Sequence, residues 1–326
     1  MTNSPFVLVS SPGMHDMAAS VAAIIKQTHG ITLPHQKLET KVFSNGEHWA
    51  RLTETIRRQH VFFFHGMQFG TPNEALMDML IAANAMKYAS VASITLVVPY
   101  MSYLRQDRKD KPRVPITARL VADLIEVNRK IEHVITMDMH AEQAQGFFSI
   151  PVDNMSSERI FIEYIQNEFM GRLAEIVVVA PDFGSAKRAR KFAEKLGIKG
   201  QVAIIEKNRP EANMAEVLSL IGASVRGKIA LMYDDMIDTG GTIAGGTKEL
   251  LSEQHGAKQV LVMATHGILS SEAGIAKLVD SGGTIAVTNS IPRELPAAFT
   301  MVPIDAHLAK VIYENTLVGG SVSRHS

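Results

Sequence analysis

Short β-branched runs alternate with longer stretches of helical period over almost the whole chain, and that rhythm constrains the fold more than any other feature. Strands are expected at 7–10, 61–65, 94–99, 133–138, 176–180, 202–206, 229–233 and 259–265. Helices are expected between them at 72–90, 116–127, 157–169, 185–196, 241–255 and 270–280. Such alternation is the pattern of α/β folds with largely parallel sheets. Leu76, Met77, Met79, Leu80 and Met86 read as one packing stripe, with methionine as core filling.

A chain of 326 residues with 46% hydrophobic composition is long enough for two domains or one large one, and excludes a long disordered protein. The 33 Lys plus Arg against 33 Asp plus Glu argue against a broad positive field laid over nucleic acid or an anionic membrane, so anion binding has to be local. Without cysteine there is no disulfide framework, no thiolate nucleophile and no Cys-ligated zinc; a metal would sit on oxygen and imidazole. The start MTNSPFVLVSSPG lacks the basic and long apolar regions of a signal peptide, and runs such as ITLVVPY are too short to span a bilayer. A soluble cytoplasmic protein is expected, with neither nucleic acid nor membrane as partner.

Two pairs of segments suggest an internal duplication. ITLVVPYMSYLRQ and IVVVAPDFGSAKRAR each run from a strand through Pro to Arg; VITMDMHAEQAQG and ALMYDDMIDTGGT each run from a strand into an acidic loop, with Asp138 opposite Asp234. This alignment puts a boundary near 151–157 and gives domains 1–153 and 154–326. In it the later loop keeps Gly240-Gly241 where the earlier has Ala144-Gln145, so only the second copy would retain a glycine cradle for an anion.

The stretch MYDDMIDTGGT at 232–242 carries the most chemistry. An apolar strand delivers Asp234 and Asp235 at its C-terminal end, and a Thr239-Gly240-Gly241-Thr242 turn opens a helix. Glycine allows close backbone approach, a helix N-terminus offers unpaired N–H groups, and the threonines add hydroxyl donors, which suits a sugar phosphate. The two acids would accept from ribose hydroxyls or help hold a metal. A bare strand–helix connection with an Asp N-cap is the competing reading.

This stretch resembles the phosphoribosyl-diphosphate signature shared by type I phosphoribosyltransferases and ribose-phosphate diphosphokinases, also called phosphoribosyl diphosphate synthetases. The synthetase family alone resembles the rest: RQDRK at 105–109 with PITA at 115–118, DMHAEQ at 138–143, GFF and PVDN at 146–154, PDFG at 181–184, KNRP at 207–210 and ATH at 264–266. The likeness runs from about Phe43 to Ile312.

The resemblance implies an enzyme built of two phosphoribosyltransferase-like domains, each a largely parallel sheet flanked by helices. It would transfer the β,γ-diphosphoryl group of ATP to the 1-hydroxyl of ribose 5-phosphate, giving AMP and phosphoribosyl diphosphate with Mg²⁺. Cations have to surround the β phosphorus during such a transfer. Lys207 and Arg209 match the family's mobile catalytic loop, and Arg209 also faces ribose 5-phosphate there. Phe43, Asn45, Gly46 and Glu47 match an adenine-binding turn, with Asn45 where Asp is common, so nucleotide preference stays open. Arg105 and Gln106 match the nucleotide-binding pair, within a segment at 105–113 that holds five basic and two acidic residues. Asp234, Asp235, Asp238, Thr239, Gly240, Gly241 and Thr242 match the ribose 5-phosphate site, while His140 and Asp182 match metal ligands. Ser185 stands where many relatives have a second glycine.

The family commonly forms hexamers that respond to phosphate and ADP. Arg57 matches a regulatory arginine, whereas the ending GGSVSRHS departs from the usual one. A phosphoribosyltransferase would leave Arg105, Gln106, His140 and the Lys207/Arg209 pair unexplained. A non-catalytic regulatory subunit would have lost positions that this chain keeps.

Overall fold

The structure, a computed structural model, describes residues 4–68, 70–208 and 217–314. The chain forms two compact units: one holds residues 4–156, 290–293 and 304–314, the other 157–289 and 294–303.

The first unit runs β1 (Phe6–Ser10), α1 (His15–His29), β2 (His35–Lys37), β3 (Glu39–Val42), β4 (His48–Arg51), β5 (His60–Phe64), α2 (Pro72–Tyr88), β6 (Ser93–Val97), α3 (Thr117–Val127), β7 (Ile131–Met137) and β8 (Val152–Met155). Its main sheet has the order β2-β1-β5-β6-β7-β8, parallel throughout, and β3 and β4 form a separate antiparallel hairpin. The second unit runs α4 (Glu158–Glu168), β9 (Ile176–Ala180), α5 (Ala186–Leu196), β10 (Val202–Asn208), β11 (Val217–Gly222), β12 (Ile229–Ile237), α6 (Gly241–Leu251), β13 (Gln259–Gly267), α7 (Glu272–Val279), β14 (Thr284–Thr288) and β15 (Phe299–Val302). Its sheet has the order β11-β10-β9-β12-β13-β14-β15, with only the edge strand β11 antiparallel. After β15 comes α8 (Asp305–Ile312), which packs on α1 of the first unit.

The unbroken apolar runs are explained by the second unit's two cores. Successive strand residues point to opposite faces. Accordingly Ala230 and Met232 join Val177, Val179, Val260 and Val262 beneath α6 and α7, while Ile229, Leu231 and Tyr233 join Val178, Leu261 and Met263 beneath Phe161 of α4 and Phe192 of α5. Both faces are covered, so both parities are apolar.

Leaving aside the edge strand β11 and the hairpin, the two sheets share one strand order, β2-β1-β5-β6-β7-β8 matching β10-β9-β12-β13-β14-β15. The duplication is thus visible in topology, but not in the alignment expected from sequence. That alignment sets β6 beside β9 and β7 beside β12; by sheet position β9 corresponds to β1, and β12 to β5. It follows Pro and Asp landmarks after strands, which recur at several strand ends of an α/β fold.

The α2 stripe also needs correction. Met79 and Met86 are fully buried, but Met77 is 53% exposed; the buried face is Ala75, Met79, Ala82, Ala83 and Met86, and Leu76 and Leu80 pack only at its margin. Small alanines let this helix lie close to the sheet, and the bulky residues flank it.

Candidate functional site

In the second unit the strand order reverses direction between β9 and β12. Ligands of open α/β sheets bind outside the carboxyl ends of strands at such a switch point. The loop after β9 holds Asp182 and the end of β12 holds the acid pair, so the fold brings these two sequence motifs to one place.

The strand expected at 229–233 runs on to Ile237, which makes Asp234 and Asp235 strand residues rather than loop residues. Asp234 Oδ1 accepts from the Asp235 backbone N–H at 2.9 Å. A further donor joins the two side chains: Arg188 Nη1, from α5, lies 2.9 Å from Asp234 Oδ1 and 3.0 Å from Asp235 Oδ1. Burial and the neighbouring Asp235 carboxylate push the Asp234 carboxyl up, against the opposing pull of Arg188. Burial works to lower the Arg188 guanidinium, but Asp235 and Asp234 outweigh it and the net shift is upward. With both carboxyls ionised, the two acids and one guanidinium leave a local excess of one negative charge; with Asp234 protonated the charges balance. That arrangement presents acceptors, as sugar hydroxyls require.

Beyond the acids, Asp238 accepts from the Ser270 hydroxyl, and Gly240, at φ +70°, caps α6 without any side-chain hydrogen bond. A Cβ at Gly240 would come 2.7 Å from the Leu278 side chain. The helix therefore starts with its N–H groups open, and Thr239, Gly241 and Thr242 are exposed around it. Behind the turn, Gly274 of α7 is packed so closely that a Cβ there would lie 2.1 Å from the Thr239 carbonyl oxygen. The cradle is held from behind by residues that its own motif does not include.

In the loop after β9, Ser185 makes reciprocal contacts with Asp182. Its backbone N–H donates to Asp182 Oδ1 at 2.8 Å, and its hydroxyl lies 3.0 Å from both that oxygen and the Asp182 carbonyl. Serine here replaces the flexibility of a glycine with a side chain that pins the acid. Lys207 lies on β10 opposite Leu218, in a strand that runs past the expected 202–206 to Asn208, and not in the loop beyond it. Its side chain and the whole of Arg209 lie outside the described residues.

In the first unit, Phe43, Asn45, Gly46 and Glu47 form the turn between β3 and β4. The Phe43 N–H donates to the Glu47 carbonyl at 2.8 Å, the Glu47 N–H donates to Asn45 Oδ1 at 3.2 Å, and Gly46 has φ +87°. Asn45 thus uses the oxygen it shares with Asp to shape the turn. Phe43 is 42% exposed, with Lys41 Nζ 4.4 Å from its ring centroid. Arg105 and Gln106 are exposed after β6; Gln106 Oε1 accepts from the Thr117 hydroxyl at 2.5 Å, which ties the segment to the start of α3. His140 is exposed after β7, past Asp138 at φ +35°. Arg105, Gln106 and His140 therefore also lie beyond carboxyl ends of parallel strands.

Sequence reasoning missed Arg188, Ser270 and Gly274. Among the described residues no group of three or more His, Asp or Glu side chains is placed to hold a metal.

Two family models match the chain: the N-terminal domain of ribose phosphate pyrophosphokinase over residues 6–128, and a phosphoribosyl synthetase-associated domain over 211–315. A ribose-phosphate pyrophosphokinase of Fusobacterium nucleatum is 46% identical over 257 residues, 78% of each chain. Ribose-phosphate pyrophosphokinase A of Dictyostelium discoideum is 45% identical over 78% of each chain. Among solved structures, a phosphoribosylpyrophosphate synthetase from Mycobacterium smegmatis superposes with a TM-score of 0.82 at 33% identity, covering 95% of this chain and 99% of that one.

Proposed function

The chain belongs to the ribose-phosphate pyrophosphokinase family and makes phosphoribosyl diphosphate and AMP from ATP and ribose 5-phosphate; from that premise we propose how its side chains divide the work. The observation that carries the proposal is the acid pair and open α6 terminus at the switch point between β9 and β12. Asp234 and Asp235 accept from the ribose hydroxyls, and the Thr239, Gly240, Gly241 and Thr242 backbone and hydroxyls take the 5-phosphate, with Asp238 holding the turn through Ser270. This binding orients the 1-hydroxyl for in-line attack at the β phosphorus.

The ATP side falls to residues 1–153, which make up most of the first unit, and the ribose 5-phosphate side to residues 154–326, of which 290–293 and 304–314 pack with the first unit. Phe43, with Asn45, Gly46 and Glu47, binds the base, and Arg105 and Gln106 bind the polyphosphate. Lys207 and Arg209 spread positive charge over the transferring group as the α–β bridge oxygen leaves with AMP. Mg²⁺ is the proposed metal; His140 in the first unit and Asp182 in the second would each offer a ligand, and when bound the ion would offset polyphosphate charge. Ser185 holds Asp182 in one orientation for that role.

A homo-oligomer, by resemblance a hexamer, and a cytoplasmic location complete the proposal. Among the described residues no helix is long and apolar enough to cross a membrane.

Steady-state kinetics test the division. Asp234→Asn and Asp235→Asn should raise KM for ribose 5-phosphate about tenfold or more while leaving KM for ATP within about threefold. An equal rise in both, or a rise for ATP alone, would contradict it.

A further inference from the structure

Because the two units share one strand order, the first unit has its own switch point, between β1 and β5. A cavity of about 350 Å³ opens there. Its walls include Ser11 just past β1, His65 and Gly66 just past β5, Glu74 and Asp78 of α2, and His48 of β4. This volume lies within the usual range for small-ligand pockets.

The chemistry is the reverse of that in the second unit. There, α6 begins without a side-chain cap and leaves its N–H groups for an anion. In the first unit the corresponding helix, α2, is closed by its own residues: the Thr71 N–H donates to Glu74 Oε2 at 2.8 Å, and the Glu74 N–H donates to the Thr71 hydroxyl at 3.3 Å. A Cβ on Gly70 would come 2.8 Å from that same carboxylate oxygen. A protein carboxylate therefore sits where an incoming anion would be bound. Among the described residues no Lys or Arg lines the cavity, and the second acid, Asp78, accepts from His48 Nδ1 at 2.7 Å.

His65 supplies the independent observation. Its side chain is almost completely buried, and Nε2 lies 2.8 Å from the Ala75 carbonyl oxygen. A carbonyl only accepts, so Nε2 carries the hydrogen. Burial pulls the imidazole down to about 4, which leaves it neutral near pH 7 and makes Nδ1 a bare acceptor. That nitrogen has no hydrogen-bond partner among the described residues. Nδ1 is covered, so the donor it lacks reaches it only when a ligand in the adjoining cavity displaces what covers the ring; with two carboxylates lining the same cavity, that ligand is one rich in N–H groups.

We propose that the switch point of the first unit is a second ligand site, of inverted polarity, for a small cationic nitrogen compound, an amine or amidine, held by the Asp78 carboxylate and His65 against Leu38 and Ala75. It is the topological counterpart of the sugar phosphate site, turned from anions to cations by Glu74 and Asp78.

The test uses the full chain labelled with ¹⁵N-histidine and two probes of one shape and opposite charge, benzamidine and benzoate. Benzamidine should shift the imidazole signals of His48 and His65 saturably, and benzoate should not. Asp78→Asn should weaken benzamidine binding about tenfold or more, with AMP formation unchanged. If that variant does not fold, Thr40→Trp at the cavity rim should block the shifts instead. Silent histidines with benzamidine, an equal response to benzoate, or undiminished affinity in the folded variant would overturn the proposal.

Discussion

Replacing Arg188 with methionine removes one positive charge from a place that holds two negative ones, keeps most of the apolar length, and leaves Asp234 and Asp235 facing each other. Two hydrogen bonds, of 2.9 and 3.0 Å, disappear with the guanidinium; the arginine and the two aspartate side chains are 34%, 27% and 9% exposed. Breaking a fully buried ion pair costs about 3–5 kcal/mol; with Arg188 and Asp234 partly in solvent, about 1–2 kcal/mol is reasonable. In a domain of this size that lowers Tm by about 2–8 °C. The loss should depend on pH. Asp234 has a folded value raised from 3.8 to about 7, so its contribution to stability is fully present below the lower figure and is lost as pH rises through the upper one. Near pH 5 the Asp234 carboxyl is largely protonated and Arg188 has one charge to answer; near pH 8 it has two. Scanning fluorimetry of R188M and wild type across this range should show a difference in Tm that widens toward pH 8. KM for ribose 5-phosphate should rise at the same time, and Arg188→Lys should recover much of both effects, because a single nitrogen makes both native hydrogen bonds. A deficit of equal size at pH 5 and pH 8, or none at all, would refute the electrostatic reasoning.

Lys207→Ala should lower kcat by about 10³-fold or more without lowering Tm, as measured by single-turnover AMP release. Gly274→Ala forces a methyl toward the Thr239 carbonyl and should cost about 1–3 kcal/mol in urea unfolding while weakening ribose 5-phosphate binding. Ser185→Gly releases Asp182 and should raise the Mg²⁺ concentration needed for half-maximal rate, with KM for ribose 5-phosphate nearly unchanged. Chelation with EDTA should abolish turnover and leave the melting curve where it was.

How much of the fold and site is legible in the chain itself depends on whether the information is local. The strand at 176–180 and the glycine turn at 239–242 are written in consecutive residues, and both appear as expected. Helix α1 escapes a sequence reading although Met17, Ala18, Val21 and Ile25 mark its buried face, because its start in SSPGMH carries no side-chain cap. Short edge strands such as β15 have too few residues to show a period. Arg188 cannot be picked from KRARK by sequence: only the packing of α5 beside β9 and β12 decides which of those cations meets the acids. The registration of the two halves fails for a similar reason, since sheet position, and not landmark residues, defines which strands correspond.

Product analysis bears most directly on the whole account. Purified protein incubated with Mg²⁺, ATP and ribose 5-phosphate should form AMP and phosphoribosyl diphosphate in a one-to-one ratio, and neither product when ribose 5-phosphate is omitted. ADP as the nucleotide product, or AMP released without phosphoribosyl diphosphate, would contradict it.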